Sequence, residues 1–461
     1  MQAQMTGVEV AGQNLANVNT TGYSRQVVNI QTSPDLATGI GSEGTGAEAA
    51  GIQQIVSSLL NTQIQSQQST GGYWNAQQSA LQSAQTNLDE FLNGTGSSSS
   101  TSTSTDGTTS SGLSSQLSGL FSSFQSLAAS PTSPTAQQAV VNQAQNLAST
   151  FNQVDSQLKS VGDSLNTSLT SDVGSANKLL SDIAGLNSEI SYAQFTGGTA
   201  NDLLDSREQD LENLSKLVSV QTSTGTNGAV DVNIGGQTLV SGNQVLDTLQ
   251  TYDAGNGRSL VQTATGGVPL TLSGGSIQGT IDARDGALAT MQSSINTLAS
   301  TLISQVNTIH SGGYSTTGTT GTNFFSGTGS NNITVNQSLV NNPALVQSSG
   351  SATAAGDNSV ALQLAQLGSA AQAGLNGQTF SNSYDETVAG LGDALQTAND
   401  NVTNQTSVAT MLQTQRSSVS GVSVDEEMTN LMGFQRAYEA SAQLVTTINT
   451  MMGDTLAMKN S

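Results

Sequence analysis

Apolar residues recur near the C-terminus at alternating spacings of three and four, which is the pattern of a coiled-coil seam. The register holds over four heptads and predicts one helix from about Val424 to Met458. Its seam positions are Met428, Leu431, Gln435, Tyr438, Ala442, Val445, Asn449, Met452 and Leu456. Because so narrow a stripe cannot surround a wide globular core, this helix is expected to pack against another helix.

Stripes with the same spacing predict further helices along the chain. They occupy residues 81–91, 147–190, 288–302 and 388–419. The N-terminus carries a shorter seam, formed by Met1, Met5, Val8, Gly12 and Leu15. Asn17, Asn19 and Gly22 follow it, and these residue types accept the left-handed backbone that ends a helix.

The apolar period falls to two between Leu217 and about Ile281. Valine and isoleucine alternate with polar residues at 218–222 and 230–234, and paired glycines interrupt the segment. Short alternating runs between glycine turns predict antiparallel strands joined as hairpins. Because helical stripes flank this segment on both sides, the chain is predicted to be mainly α with a β insertion.

Residues 94–112 consist of Gly, Ser and Thr apart from Asp106. Such a tract buries too little apolar surface to offset the entropy of ordering it, so it is expected to be a mobile linker.

Charge narrows the possible functions of the 461-residue chain. It has 32 acidic and 10 basic residues, a net charge of −22, and no Lys or Arg between Arg25 and Lys159. Nucleic acids and anionic membranes attract clustered cations, so neither is an expected partner. No apolar run is long enough to span a membrane, and the first residues lack the pattern of a cleaved secretory signal.

Candidate catalytic and metal sites are few. The chain has no Cys and one His, which excludes disulfides, thiolate sites and two-His metal sites within one chain. His310 is expected to be a solvated helix-end residue and not a general base. Gly39–Gly44 fits G-x-G-x-x-G without the context of a dinucleotide site, and Asp253–Gly257 is interpreted as a hairpin turn and not a calcium loop. We therefore predict no catalytic, cofactor or metal site, and no enzyme.

Acidic clusters are interpreted as helix starts. Ser423 to Glu426 is a capping-box pattern, and Asp425, Glu426 and Glu427 complement the positive end of the helix dipole. The segments 202–212 and 282–285 are interpreted in the same way, with an expected ion pair between Glu212 and Lys216 at i,i+4.

The segment from Asn14 to Gln26 resembles the N-terminal signature of the bacterial flagellar axial proteins, which are the rod, hook and hook-associated proteins. Its motif residues are Asn14, Asn17, Asn19, Gly22, Tyr23, Ser24, Arg25 and Gln26. Three later blocks are similar to the hook-associated branch of that family. They are residues 203–208, 274–285 and 418–428 with 434–438, and they include Asp425, Glu426 and Glu427.

The resemblance implies that the terminal helices pair as an inner coiled coil, with the other domains stacked outward. The expected domains are 1–30 with 421–461 as the terminal coiled coil, 31–216 with 282–420 as a helical stalk, and 217–281 as the β-rich outer domain. Partner contacts are expected at Met5, Val8, Leu15, Met428, Leu431, Tyr438, Val445, Met452 and Leu456.

The same resemblance implies export through the flagellar type III channel and assembly at the hook tip as the junction between hook and filament. The expected partners are further copies in a ring, hook protein, a second junction protein or filament subunits, and an export chaperone. No cofactor is expected.

Two other functions fit parts of the pattern. The chain could be a different axial protein, such as a hook or filament subunit, although residues 420–428 argue against this. It could also be an exported Ser/Thr-rich adhesin with a coiled-coil stalk and a ligand-binding β insertion. An adhesin should lack paired terminal helices, so the proximity of the two termini in a structure distinguishes a flagellar axial protein from an adhesin.

Overall fold

The computed structural model describes residues 1–38, 41–93, 112–255 and 257–459. The fold is mainly α with a β insertion, as the sequence predicts. The predicted linker at 94–112 lies outside the described residues except for Gly112, as do the first two residues of the 39–44 glycine motif. Within the described part, no helix is long and apolar enough to cross a membrane.

Helices dominate the architecture, and the bounds of the longest ones enclose the predicted stripes. They are α1 (Gln2–Ala16), α2 (Ser58–Asn93), α3 (Leu113–Ala129), α4 (Pro134–Phe195), α5 (Asn201–Leu217), α6 (Gly275–Ala283), α7 (Ala289–Ser311), α8 (Gln337–Asn341), α9 (Ser359–Gln366), α10 (Phe380–Ser420) and α11 (Val424–Lys459). A single π turn, Arg284–Leu288, joins α6 to α7.

The strands form small antiparallel sheets. They are β1 (Gln26–Thr32), β2 (Leu36–Thr38), β3 (Gly41–Glu43), β4 (Ala47–Gln54), β5 (Val220–Thr224), β6 (Val230–Ile234), β7 (Gln237–Ser241), β8 (Gln244–Val245), β9 (Leu249–Asp253), β10 (Ser259–Thr263), β11 (Phe325–Ser326) and β12 (Thr334–Val335). The inserted unit has a four-stranded meander in the order β5-β6-β7-β8 and a β9–β10 hairpin. Asp253 pairs with Ser259, so the chain reverses after Asp253, which agrees with the turn predicted at 253–257.

Helix α4 connects two hydrophobic cores. Ser133 caps its N-terminus by accepting a 3.4 Å hydrogen bond from the Ala136 N–H, and Pro134 fits the first turn because no intrahelical partner exists there for an N–H. The apolar stripe at 140–165 enters a core shared with α2, α3, α7, α9 and α10. The stripe at 169–184 enters a second core with α5, α6 and the β insertion.

Two segments differ from the sequence-based boundaries. Residues 26–32 and 47–54 form an antiparallel ribbon, β1 paired to β4, which crosses the predicted boundary at residue 30 between the terminal coiled coil and the helical stalk. Residues 275–281 are helical where the β domain was expected, because α6 packs directly on α2. Gly279 allows this approach, since a Cβ there would lie 2.2 Å from the Tyr73 carbonyl oxygen.

His310 is buried, so the expectation of a solvated residue was wrong. Its Nδ1 lies 2.7 Å from the Thr322 carbonyl oxygen, and its Nε2 accepts a 2.9 Å hydrogen bond from the Gln347 N–H. The ring therefore carries its proton on Nδ1 and is neutral. Burial lowers the pKa of His310 to about 4. The sequence offered no sign of this, because the covering residues follow in a loop without apolar periodicity.

The expected Glu212–Lys216 pair is also absent. Glu212 instead forms an ion pair with Arg416 on α10, and Lys216 donates a 3.0 Å hydrogen bond to Asn213 Oδ1. The half-buried Arg416 is the stronger competitor because its guanidinium is less hydrated than an ammonium group.

Candidate assembly interface at the chain termini

The first and last helices of the chain pack against each other. The buried side of α1 consists of Val10 and four smaller residues, which are Ala3, Gly7, Ala11 and Asn14. A Cβ at Gly7 would lie 2.7 Å from ring atoms of Phe434 on α11, so the ring sits directly over the glycine. Small residues thus set how closely the two helices approach.

Most of the predicted seam residues lie outside the contact between α1 and α11. On α1, Met5 is 53% exposed, while Val8 and Leu15 are half-buried. On α11, Leu431 is half-buried, and the other predicted positions, Met428, Tyr438, Val445, Met452 and Leu456, are exposed. The intramolecular contact therefore uses a face of small residues, and the apolar stripe remains accessible to other molecules.

Helix length explains part of this exposure. At about 1.5 Å per residue, the 15 residues of α1 cover less than half the length of the 36-residue α11. Every described residue from 443 to 459 is exposed, including Leu444, Val445, Ile448 and Met451. Soluble monomers rarely expose so continuous an apolar helix, so this surface is characteristic of an interface.

Asn14 organises the exit of the chain from α1. Its amide donates hydrogen bonds to the Gln26 carbonyl oxygen (2.8 Å) and to Glu427 Oε2 (3.1 Å). Its Oδ1 accepts hydrogen bonds from Tyr23 Oη (2.9 Å) and from the Gln26 N–H (3.0 Å). Asn14 is fully buried, and all four of its hydrogen-bonding positions are used.

Arg25 connects the N-terminal motif to the acidic start of α11. Its Nε lies 2.7 Å from Glu427 Oε1, and its Nη1 lies 2.7 Å from Glu426 Oε2. Ser423 also caps the helix weakly, because its Oγ is 3.5 Å from the Glu426 N–H. The acidic cluster therefore does more than cap α11. The sequence interpretation missed the pairing, although one signal was present: the motif from residue 14 to 26 contains a single cation and the later motif contains three acids.

Helix α5 also binds the N-terminal motif at residues 14–26, through Asp205. Asp205 accepts hydrogen bonds from the Ser24 N–H (2.9 Å), Ser24 Oγ (2.7 Å) and Gln54 Nε2 (3.0 Å). Burial raises the pKa of Asp205. Burial also raises the pKa of Tyr23 to about 12, with further contributions from the negative charges of Asp202, Asp205 and Glu427. Tyr23 therefore stays protonated and keeps donating to Asn14.

The turn after α1 differs in detail from the sequence-based expectation. Helix α1 ends at Ala16, next to the predicted helix-ending residues, but Asn17 has φ −101°, and Asn19 is likewise outside the left-handed region. Gly22 alone among the three adopts positive φ, at +83°. The asparagine at 17 instead caps the turn, donating to the Gln13 carbonyl oxygen and accepting from Thr20 Oγ1.

The arrangement contains no feature typical of a metal or cofactor site. No group of three or more His, Cys, Asp or Glu side chains in the described ranges could hold a metal ion. The carboxylates gathered here are bonded to Arg25, Asn14, Ser24 and Gln54, so they hold protein segments together.

Comparisons with known proteins agree with this geometry. Residues 99–325 match the family model described as the flagellar hook-associated protein FlgK helical domain, and residues 413–458 match that of the flagellar basal body rod FlgEFG protein C-terminal region. The flagellar hook-associated protein 1 of Bacillus subtilis is 27% identical over 97% of this chain and 94% of its own length. That of Salmonella typhimurium is 26% identical over 68% of this chain, and the match spans 55% of the relative.

A solved structure shares the fold. The flagellar hook junction protein FlgK from Burkholderia pseudomallei superposes with a TM-score of 0.67 at 17% identity, over 78% of this chain and all of that one. The two family models, the order of the matched segments and the near full-length match to the Bacillus protein agree, and along nearly its whole length the chain is similar to flagellar hook-associated protein 1.

Proposed function

We propose that the chain builds the hook–filament junction by packing the exposed stripes of α1 and α11 against terminal helices of neighbouring subunits. As a hook-associated protein 1, it is a structural component of that junction in the flagellum. The observation that carries the proposal is the exposed apolar length of α11 beyond its pairing with α1. A coiled-coil stripe of this length gains stability only when a second helix covers it.

The proposal also names the molecules that would contact the chain before and after assembly. Copies of the chain would form a ring, with hook protein below and a second junction protein or filament subunits above. Before assembly, an export chaperone would cover the exposed stripe, and the chain would leave the cell through the flagellar type III channel. The low charge content and the absence of Cys support passage of an unfolded chain, because no disulfide must be broken first.

The alternatives have less support. The adhesin reading required unpaired terminal helices, whereas α1 packs on α11. A hook or filament subunit would not account for the match of residues 99–325 to the FlgK helical domain. Catalysis has no support in the arrangement of the described side chains, and the proposed role requires none.

Val445→Asp tests the proposal. Val445 is 46% exposed, so the substitution should leave the melting temperature of the purified monomer unchanged. In the assembly, a buried unpaired carboxylate would cost several kcal/mol, so cells carrying this variant should form hooks without filaments. The matched control is Gln443→Asp, which adds the same charge to an exposed position outside the predicted seam. Normal filaments on Val445→Asp cells would show that this stripe is not an assembly surface.

A further inference from the structure

The methionines of this chain are distributed unevenly between core and surface. Eight of the nine are at least 44% exposed. They are Met1, Met5, Met411, Met428, Met432, Met451, Met452 and Met458. Seven of these lie on or beside α1 and α11, and the ninth methionine, Met291, is 2% exposed in the core shared with α2 and α4. Methionine ordinarily fills core gaps, so its concentration on two exposed helices needs another explanation.

We propose that the methionines of α1 and α11 form a reversible oxidation site that decides whether an unassembled chain can join the junction. This inference rests on the function proposed above. Methionine is the only sulfur-containing residue in the chain, because cysteine is absent. An oxidant that reacts with sulfur therefore has eight accessible targets, and all of them except Met411 on α10 lie on or beside the terminal helices.

The chemistry is an oxygen-atom transfer from a peroxide. The thioether sulfur attacks the peroxide, an S–O bond forms and the O–O bond breaks. Sulfur loses two electrons to become a sulfoxide, and the peroxide is reduced to water. Methionine sulfoxide reductases reverse the step with electrons from a dithiol, one enzyme for each sulfoxide epimer.

Oxidation would act on assembly and not on the monomer fold. Met5, Met428 and Met452 stand at predicted seam positions, and a sulfoxide there places a polar group where a neighbouring helix must exclude water. The contacts that hold the monomer together use other residues, such as Gly7 against Phe434 and Asn14 against Glu427. Assembly would in turn cover these side chains and protect them.

The test uses the purified full chain treated with dilute hydrogen peroxide. Peptide mapping by mass spectrometry should show oxidation at residues 5, 428, 432, 451 and 452, while Met291 stays unmodified as an internal control. The melting temperature should not change. Added to hook-bearing cells that lack this chain, the oxidised protein should restore filaments at least tenfold less often than untreated protein. Reduction by both sulfoxide reductases should restore it.

A resistant variant provides the matched control. It carries Leu at positions 5, 428, 432, 451 and 452, and peroxide should not reduce its ability to restore filaments. Oxidised wild-type protein that restores filaments as well as untreated protein would overturn the inference while leaving the proposed function intact. Equal loss in the resistant variant, or no recovery after enzymatic reduction, would overturn it as well. If untreated wild-type protein restores no filaments, the proposed function itself fails, and the inference fails with it.

Discussion

Glu427 shows how one residue can join distant parts of a chain. It lies in the first turn of α11 and is only 2% exposed, and its carboxylate contacts Arg25 and Asn14 from the other end of the sequence. A buried charge is tolerated only when it is paired and hydrogen-bonded. Two of the sequence motifs that carry the family resemblance therefore meet at a single carboxylate, which fixes where the N-terminal segment leaves α1.

Glu427→Gln tests this role. The neutral amide weakens the contacts to Arg25 and Asn14, which should cost about 2 kcal/mol of local stability. Because proteolysis of a native protein follows the population of the open form, trypsin should cut after Arg25 roughly 30-fold faster. Glu426→Gln is the control, since that side chain is 60% exposed and should change the rate only about twofold. Equal rates for the two variants would mean that Glu427 does not hold the motif.

His310 is expected to make the fold sensitive to acid. Its pKa is about 4 in the folded chain and about 6.5 in an unfolded one, so the unfolded state binds more protons between these values. Stability from the neutral ring is complete above pH 6.5 and is lost as the pH falls toward 4, up to about 3 kcal/mol. As the only histidine, it gives a single imidazole signal in an NMR titration. A midpoint near 6.5 would contradict the buried, neutral ring.

At the scale of elements, the apolar period predicted helices well but not the faces that they share. The stripes at 147–190, 388–419 and 424–458 all lie within the helices found. The contact between α1 and α11, however, uses Ala3, Gly7 and Ala11, which carry too little apolar surface to stand out in a pattern. The ribbon of β1 and β4 was missed because its alternation is interrupted by a bulge between Asn29 and Ile30.

Alanine substitutions at two glycines of α1 separate the effect of the contact between α1 and α11 from the effect of helix propensity. Gly7→Ala and Gly12→Ala each gain about 1 kcal/mol from the better helix former. A Cβ at Gly12 meets nothing within 4 Å, whereas one at Gly7 overlaps the Phe434 ring. Gly12→Ala should therefore slow hydrogen exchange of the α1 amides, and Gly7→Ala should accelerate it. If both variants slow the exchange, the contact with Phe434 does not determine the pairing of the helices.

At the scale of the whole molecule, the sequence predicted the fold class and the two terminal helices but not the contacts that join distant parts of the chain. The opposite charges of the two motifs hinted at a pairing, but the local pattern did not show that Arg25 would reach Glu427 in particular, or that Glu212 would pair with Arg416 and not with Lys216. Those contacts depend on the packing of helices far apart in sequence, which periodicity does not encode. The seam residues differ from these contacts, because their spacing is visible in the sequence and the proposed function assigns their partners to other molecules.

The two hydrophobic cores along α4 should respond separately to substitution, because they share a helix but form distinct clusters of side chains. Ile234→Ala in the β insertion should cost about 3 kcal/mol and accelerate amide exchange in β5–β7 roughly 100-fold. Trp74, the only tryptophan, packs against the other core, so its fluorescence should keep the same urea midpoint in this variant. Phe151→Ala is the reciprocal control, and it should lower the Trp74 midpoint because Phe151 belongs to that core. If Ile234→Ala lowers the Trp74 urea midpoint as much as Phe151→Ala does, the two cores unfold together, and α4 makes them one cooperative unit.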